Sequence, residues 1–370
     1  MAVLNRRTLL GTSLAAAVAP IIGRPVLGAE PVQVGFVYSG PVGDYGWTLA
    51  HDRGRAALEA EFGDRVRVIV TPQTGEDASA IPVIRDLAQQ GCKLIFATAG
   101  GYAQQVAEVA RDFTEVAFEV CDGLATAANV ATYAARLHEA RAVAGALAGM
   151  LPGGGMLGYL GAYRLPEAVR GANAFLLAAQ RHRPEARLSL AFVNRWFDPP
   201  AEIAATTWLA ERGAAIVAGD TDSPAALQTL EPLGRYGFGQ STDLREYAPE
   251  AQLSAIEHIW GPYYVARTRA LLEGTWTSAA TSLGIADGAL ALAPFGPAVT
   301  ADAALAAERI AAGYRDGSFD IFTGPIHDQS GSLRVAEGER LAPADLAGMD
   351  WFVQGVDSTI WTNGMAGAAE

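Results

Sequence analysis

Residues 32–47 read VQVGFVYSGPVGDYGW. The run over 32–38 is apolar apart from Gln33, and it leads into a glycine-rich turn and then into a helical pattern over 47–61. A strand that is apolar at nearly every position, rather than at every second one, has both of its faces covered. Such strands belong to parallel sheets, because crossover helices pack on both faces. This stretch therefore predicts an α/β fold that begins with a buried parallel strand.

The same unit recurs along the chain in two series. The predicted strands lie at 32–38, 66–71, 93–98, 116–120 and 130–133 in the first series, and at 156–160, 188–193, 215–218 and 236–238 in the second. An alanine-rich helix at 137–150 and the break Pro152-Gly153-Gly154-Gly155 separate the two series. Two βα series of similar size predict two doubly wound lobes, each with a parallel sheet.

A further strand near 253–259 and a helix near 262–272 follow the second series. If both return to the first lobe, several segments of the chain cross between the lobes, as in a hinge. We therefore assign 30–136 and about 250–275 to lobe 1, and 137–249 and about 276–330 to lobe 2. The less periodic residues 331–370 are interpreted as a C-terminal extension.

Residues 1–29 have the organisation of an export signal, with a charged start, an apolar middle and a small-residue end. The paired Arg6 and Arg7 favour the twin-arginine route, although a Sec signal can look similar. The alternative is a membrane anchor, but the apolar run is shorter than the roughly 20 residues that span a bilayer, and Pro20 interrupts it. We expect a periplasmic mature chain that does not insert into the membrane.

The charge and the lysine content exclude several classes of partner. Loss of residues 1–29 removes three arginines and no acid, so the formal charge goes from −13 to −16. Nucleic acid is a poor partner for such a chain. Lys93 is the only lysine, and it lies at the start of a predicted strand, which argues against a P-loop and against a pyridoxal Schiff base.

The sequence also lacks signs of a cofactor, a metal site or a catalytic centre. Cys92 begins one predicted strand and Cys121 ends its neighbour, so we expect two buried free thiols rather than a disulfide. The five histidines show no metal-ligand spacing, and no Gly-x-Ser-x-Gly elbow is present after residue 29. The turn at 40–46 lacks the Gly-x-Gly-x-x-Gly spacing of a dinucleotide site.

Aromatic and acidic residues are concentrated where the predicted strands end, which is where open α/β sheets bind ligands. The candidate ligand-binding residues are Asp44, Trp47, Gly100, Tyr102, Glu119, Trp196, Asp222, Ser241, Asp243 and Trp260. The flat faces of the tryptophans can stack on an aromatic ring, and the carboxylates can accept hydrogen bonds from its N–H groups. The pattern predicts a small, purine-like ligand.

Alternatives exist for single residues and for the whole chain. Acids in turns are often helix caps, and a tryptophan near a strand end is often packing. Residues 220–224, Asp-Thr-Asp-Ser-Pro, faintly resemble the aspartate cluster of nucleoside hydrolases, but a calcium-dependent hydrolase needs more acids at one site. A ligand sensor that feeds a signalling receptor leaves no distinct mark in the sequence.

Six segments, taken together and in order, resemble the basic membrane protein family of ABC transporter substrate-binding proteins. They are the turn at 40–47, Val-Arg-Gly-Ala-Asn-Ala-Phe at 169–175, Trp-Phe-Asp-Pro at 196–199, Thr-Asp-Ser-Pro at 221–224, Trp-Gly-Pro-Tyr-Tyr at 260–264 and Phe-Thr-Gly-Pro-Ile at 322–326. The resemblance implies a type I periplasmic-binding-protein fold with three hinge crossings, a purine-like ligand between the lobes, and an ABC transporter permease as partner.

By position, the resemblance makes Trp47 and Trp196 the two stacking aromatics, Glu119 an acid at the edge of the base, and Asp222 a polar contact from the second lobe. Where relatives typically read Gly-x-Asp-x-Asp, this chain has Ser241 in place of the first acid. The lysine that nucleoside receptors place near the ligand has no counterpart. Both departures favour a nucleobase over a nucleoside, and they leave open whether Arg164 or His258 reaches the ligand.

Overall fold

The computed structural model describes residues 30–362 and 365–368. The export signal predicted for residues 1–29 lies outside the described residues. Within the described ranges, no helix combines the length and the hydropathy needed to span a bilayer.

The first lobe is built on a six-stranded sheet. Its first five strands are β1 Val32–Val37, β2 Val66–Thr71, β3 Cys92–Ala97, β4 Ala117–Cys121 and β5 Val130–Ala135. The intervening helices are α1 Gly46–Phe62, α2 Ala80–Gln89 and α3 Ala103–Ala110. All neighbouring pairs are parallel, as the continuous apolar runs predict. Cys92 and Cys121 are free, buried thiols at a strand start and a strand end.

The second lobe repeats this arrangement after helix α4 Leu137–Met150. Its strands are β6 Met156–Gly161, β7 Arg187–Phe192, β8 Ile216–Gly219, β9 Tyr236–Ser241 and β10 Gln252–His258. Its helices are α5 Pro166–Gln180, α6 Pro199–Glu211 and α7 Ala225–Leu230. The neighbouring pairs among these five strands are also parallel.

The last third of the chain completes both sheets. Its elements are α8 Gly261–Leu272, β11 Ala280–Leu283, β12 Leu290–Leu292, α9 Ala301–Asp316, β13 Ile326–His327, β14 Leu333–Val335, α10 Pro343–Ala347, β15 Val356–Thr362 and β16 Met365–Ala368. The first sheet has the order β11-β5-β4-β3-β1-β2, and the second has β12-β10-β9-β8-β6-β7-β15-β16. The chain thus passes between the lobes after β5, after β10 and after β11.

The sheet order corrects the predicted domain boundaries. Strand β10 pairs with β9 in the second sheet, so of the strand near 253–259 and the helix near 262–272 that are predicted for lobe 1, the helix α8 alone packs there, on α1. Strand β11 joins β5 in the first sheet. Within the described part of 331–370, strand β15 pairs with β7 inside the second sheet, so this part belongs to the second lobe and not to an extension. The apolar pattern shows where a strand lies in the sequence, but it does not show which sheet the strand joins. The domain boundaries could therefore not be read from it.

Helix α4 links the first crossing to the core of the second lobe. Twelve of its fourteen residues are buried, because α5 and α9 pack against it. At Gly145 and Gly149, an added Cβ would overlap the backbone of Phe175 and Ala179 in α5. Two glycines four residues apart therefore let the α4 and α5 backbones approach closely, and this packing fixes the position of the α5 N-terminus at the cavity described next.

Candidate functional site

A cavity of about 670 Å³ lies between the carboxyl ends of the two sheets. Its wall comes from both lobes, with the turn after β1 and residues 99–101 on one side and the loops after β6, β7 and β8 on the other. The volume falls in the range of small-molecule sites. Its position beyond the strand ends is where parallel α/β sheets bind ligands.

The N-terminus of helix α1 joins the lobes beside this cavity. The backbone N–H of Gly46 donates to Thr242 Oγ1 at 2.9 Å, and that of Trp47 donates to Asp222 Oδ1 at 2.6 Å. A helix N-terminus leaves such N–H groups without intrahelical partners, and its dipole favours a carboxylate there. Gly46 has φ +85, and an added Cβ would overlap the Asp222 carboxyl. The second lobe therefore caps α1.

Two tryptophans contribute to the wall from opposite lobes. Trp47 is half-buried, and its Nε1 donates to the Thr98 carbonyl at 2.7 Å, which fixes the plane of the ring. Trp196 is 46% exposed and contacts the Tyr163 ring edge-on at 5.3 Å between centroids. The ring of Trp47 is thus held in a fixed orientation, whereas the ring of Trp196 is partly exposed to solvent and can contact a ligand.

Five carboxylic acids line the cavity. They are Glu76, Asp122, Glu167, Asp220 and Asp222. Burial is the main cause that raises the pKa of each, to about 8 for Asp122 and to about 7 for Asp220 and Asp222. Glu167 also raises the pKa of Asp122, because the two carboxylates repel one another when both are ionised. No arginine or lysine belongs to the described wall.

Two arginines lie near the wall and compensate part of this charge. Arg141 is fully buried and donates from Nη2 to Gln240 Oε1 at 2.6 Å and to the Gly219 carbonyl, while its Nε and Nη1 have no partner among the described residues. Arg170 donates to the Leu346 carbonyl at 2.7 Å and acts electrostatically on Asp122 and Glu167. Both guanidiniums therefore lie behind the wall and offset part of its charge, but neither lines the cavity.

His258 lines the cavity, so it lies where a ligand in the cavity could contact it. It is 6% exposed, and its Nδ1 has no hydrogen-bond partner among the described residues. Its ring stacks on Trp260 at 5.5 Å. Burial and the nearby Arg141 lower the pKa of His258 to about 3, so the ring is neutral at physiological pH. Arg164 is not part of the wall, and it stacks on Phe352 instead.

Half of the predicted site residues lie in the cavity wall. These are Trp47, Gly100, Trp196, Asp222 and Ser241. Trp260 is fully buried behind His258, where it also stacks on His51.

Four other predicted site residues lie outside the cavity wall, and Glu119 is the one whose position differs most clearly from the prediction. It is fully buried and accepts hydrogen bonds from Tyr263 and Trp276, both at 2.7 Å, and from Arg267. The reason is its place inside β4, where its side chain faces helix α8, whereas Asp122 is the residue that follows the strand.

The remaining three serve the fold. Tyr102 is buried and donates to the Thr74 carbonyl at 2.6 Å. Asp44 is exposed in its turn and outside the wall. Asp243 accepts from the Arg245 backbone N–H and from Gln252 Nε2, as a turn acid does.

The sequence reasoning missed several acids in the wall. Asp122 and Asp220 each follow a strand directly, so their position was a usable signal. Glu76 lies five residues after β2, and Glu167 lies in the first turn of α5, where an acid is equally expected from the helix dipole alone. Within the described residues, no group of three His, Cys, Asp or Glu side chains is arranged to hold a metal ion.

Comparison with known proteins agrees with this architecture. A solute-binding protein of an ABC transporter system from Conexibacter woesei superposes with a TM-score of 0.66 at 20% identity, over 78% of this chain and 98% of the other. That likeness concerns the fold. It confirms the predicted pair of doubly wound lobes with a multi-strand hinge, the type I periplasmic-binding-protein fold.

Two relatives are closer in sequence. A purine-binding protein of Brucella abortus (strain 2308) is 39% identical over 340 residues, 92% of this chain and 97% of the relative. A Haloferax volcanii protein that carries the name of an ABC transporter glucose-binding protein is 32% identical over 271 residues, 73% of this chain and 69% of the relative. A family model described as ABC transporter substrate-binding protein PnrA-like matches residues 31–304. The chain therefore belongs to the PnrA-like family of ABC transporter substrate-binding proteins.

Proposed function

We propose that this protein is the periplasmic component of an ABC importer and that it binds a purine-like molecule between its lobes. The observation that carries the proposal is the position of Trp47 and Trp196, which reach one cavity from opposite lobes. An aromatic ring stacked on such faces gains about 0.5–1.5 kcal/mol per pair beyond its buried area. The purine-binding protein of Brucella abortus, at 39% identity, supports this choice of ligand.

The polar part of the wall supports a ligand rich in N–H groups. Four half-buried carboxyls can accept hydrogen bonds through their oxygens, and such a bond is worth about 0.5–1.5 kcal/mol when the carboxyl is neutral and about 1.5–3 kcal/mol when it is ionised. A purine presents several N–H donors around a flat ring. Stacking would then set the plane of the ligand, and the carboxyls would set its rotation within that plane.

A nucleobase is favoured over a nucleoside. Ser241 lines the wall at the position where nucleoside receptors have the acid that holds the ribose hydroxyls. Its φ of +65 and its 2% exposure indicate a tightly fixed residue with little freedom to replace that acid. The single lysine, Lys93, lies in β3 and outside the wall. A nucleoside would therefore lack two contacts that the acid and the lysine of nucleoside receptors provide.

Transport follows from hinge closure. The open form exposes the strand-end loops, and a ligand that contacts both lobes raises the closed population by its difference in affinity for the two forms. The hydrogen bonds from Gly46 and Trp47 to the second lobe mark the contact that closure makes. The permease would recognise the closed form, and the signal at residues 1–29 would export the chain to the periplasm.

A sugar is the second candidate ligand. The Haloferax volcanii relative carries the name of a glucose-binding protein. Carboxyls also accept hydrogen bonds from sugar hydroxyls, and tryptophan faces pack on the apolar side of sugar rings. Glucose therefore belongs in every binding panel beside the purines.

Mass spectrometry of the ligand released from purified protein tests the proposal. Calorimetry with adenine, guanine, hypoxanthine, xanthine, their nucleosides and glucose provides the affinities. We expect at least one free base to bind more tightly than its nucleoside. Indifference to all of the purines would remove the purine assignment, glucose binding alone would establish the second candidate, and product formation on incubation would indicate a hydrolase.

A further inference from the structure

The described wall of the cavity carries several acidic side chains and no strongly basic one. Asp122, Glu167, Asp220 and Asp222 lie in it half-buried, and none of the described wall residues is a lysine or an arginine. His258 in the same wall is 6% exposed with an unpartnered Nδ1, and its ring is neutral. The wall thus offers hydrogen-bond acceptors and carboxyls that a cation could hold in the ionised form, and part of its hydrogen-bonding capacity is unused.

Arg141 and Arg170 do not balance this charge. Arg141 acts on Glu167 and Asp220, and Arg170 acts on Asp122 and Glu167. These two guanidiniums are fewer than the four half-buried carboxyls of the wall, and the exposed Glu76 is a fifth acid there. In a site from which water is excluded, like charges interact several times more strongly than in bulk water.

Asp122 and Glu167 come from different lobes. Asp122 follows strand β4 of the first lobe, and Glu167 lies in the first turn of α5 in the second. They repel one another when both are ionised. Closing the lobes therefore brings two carboxyls together, and a positive charge between them would turn that repulsion into attraction to both.

We propose that the cavity selects a heteroaromatic cation over its neutral isomer, and that Asp122 and Glu167, one from each lobe, set this preference. The proposal rests on the proposed function, since it specifies the charge of the ligand held between Trp47 and Trp196. A cation satisfies the stacking and the carboxyls at once, because aromatic faces also attract positive charge. A neutral base leaves the repulsion between the two carboxyls to be relieved by a proton.

Pairs of isomeric adenines test the preference without changing the size of the ligand. The base-sized pair is 1,9-dimethyladenine, which is protonated at neutral pH, and the neutral N6,9-dimethyladenine. The nucleoside-sized pair is 1-methyladenosine, also a cation, and the neutral N6-methyladenosine. Calorimetry at pH 7 on the full protein is expected to show the cation bound at least about tenfold more tightly within a pair.

The double variant Asp122→Asn, Glu167→Gln tests which residues are responsible. Asn tolerates the positive φ of 52 at position 122, so the backbone there is kept. We expect the preference to fall to within about threefold in this variant. Asp243→Asn is the matched control, because Asp243 lies outside the wall, and it is expected to keep the full preference.

Two results would overturn the inference. The first is equal or tighter binding of the neutral isomers by the unmodified protein, which needs no variant to fold. The second is a preference that survives in the double variant. If the unmethylated purines bind and neither cation does, the inference fails alone; if no purine of any kind binds, the proposed function fails with it.

Discussion

At the scale of single residues, the site depends on two tryptophans with different roles. Trp47 is fixed by its hydrogen bond to Thr98 and by ring contacts with His51, His258 and Trp260. Trp196 is exposed over 46% of its surface and contacts only the edge of one ring, that of Tyr163, among the described ring pairs. Trp196 is therefore the residue whose loss affects binding with little effect on folding.

We expect Trp196→Ala to weaken binding of the identified ligand by about tenfold or more and to leave the unfolding free energy nearly unchanged. Calorimetry and urea unfolding provide the two measurements. Trp208→Ala is the matched control, since Trp208 lies in α6 and outside the cavity wall, where it packs on Arg212. Unchanged affinity in Trp196→Ala would show that stacking is assigned to the wrong residue.

Asp122 makes stability depend on pH in an unusual direction. Burial, and then repulsion by Glu167, raises its pKa to about 8, while Arg170 lowers it and Cys121 donates a weak hydrogen bond. The folded form thus holds a proton that the unfolded form releases near pH 4, so stability falls as pH rises from about 4 to about 8.

In Asp122→Asn, we expect the free energy of unfolding to fall with rising pH by roughly 1–3 kcal/mol less than in the unmodified protein, because the amide does not titrate. Urea unfolding of the ligand-free protein at pH 5, 6, 7 and 8 measures it. Asp44→Asn, at an exposed carboxyl outside the cavity wall, is the matched control for the substitution. An identical profile in Asp122→Asn would mean that Asp122 is ionised throughout this range.

At the scale of elements, the α4–α5 contact connects the sequence to the site. Gly145→Ala would force the two backbones apart at Phe175, and overpacking of this kind costs about 1–3 kcal/mol. Chemical denaturation measures the loss. At Gly155, just after α4, φ is not positive and an added Cβ meets only ordinary contacts, so Gly155→Ala should be nearly neutral. Equal stability of the two variants would contradict the close approach.

The elements themselves were largely predictable from the sequence. Strands β1 to β10 lie within about three residues of their predicted ends, because buried parallel strands are apolar throughout, and helices α1, α4 and α8 also match their predicted ranges this closely. The short strands β11 and β12 and the long helix α9 were not predicted. β15 was also missed, since the polar residues Asp357, Ser358 and Thr359 interrupt its apolar run.

The site was only partly predictable, and Glu119 shows why. Glu119 lies inside β4 in the prediction as well as in the structure, and the apolar pattern of a strand buried on both faces does not show which face a given side chain points to. Glu167 illustrates the opposite failure. Its role depends on where α5 packs against α4, and its own neighbours in sequence do not reveal that packing.

At the scale of the whole molecule, the lobes contact one another at the α1 N-terminus. Thr242→Val removes the acceptor for the Gly46 N–H, which is buried in this contact. We expect the closed population to fall, with a larger radius of gyration in solution X-ray scattering and affinity lowered about threefold to tenfold.

Thr229→Val is the control for this variant, because the Thr229 hydroxyl bonds within α7, at the Ala225 carbonyl. It should leave both scattering and affinity as they are. Scattering of Thr242→Val that matches the unmodified protein would show that this hydrogen bond does not hold the lobes together.

The central claim is that one solute contacts both lobes at once, and a crystal structure with the tightest-binding purine tests it most directly. We expect the ring to lie against Trp47 and Trp196, with its N–H groups within hydrogen-bond distance of carboxyls from both lobes. A ligand that contacts one lobe only, or that lies outside the cavity between the sheets, would contradict the account.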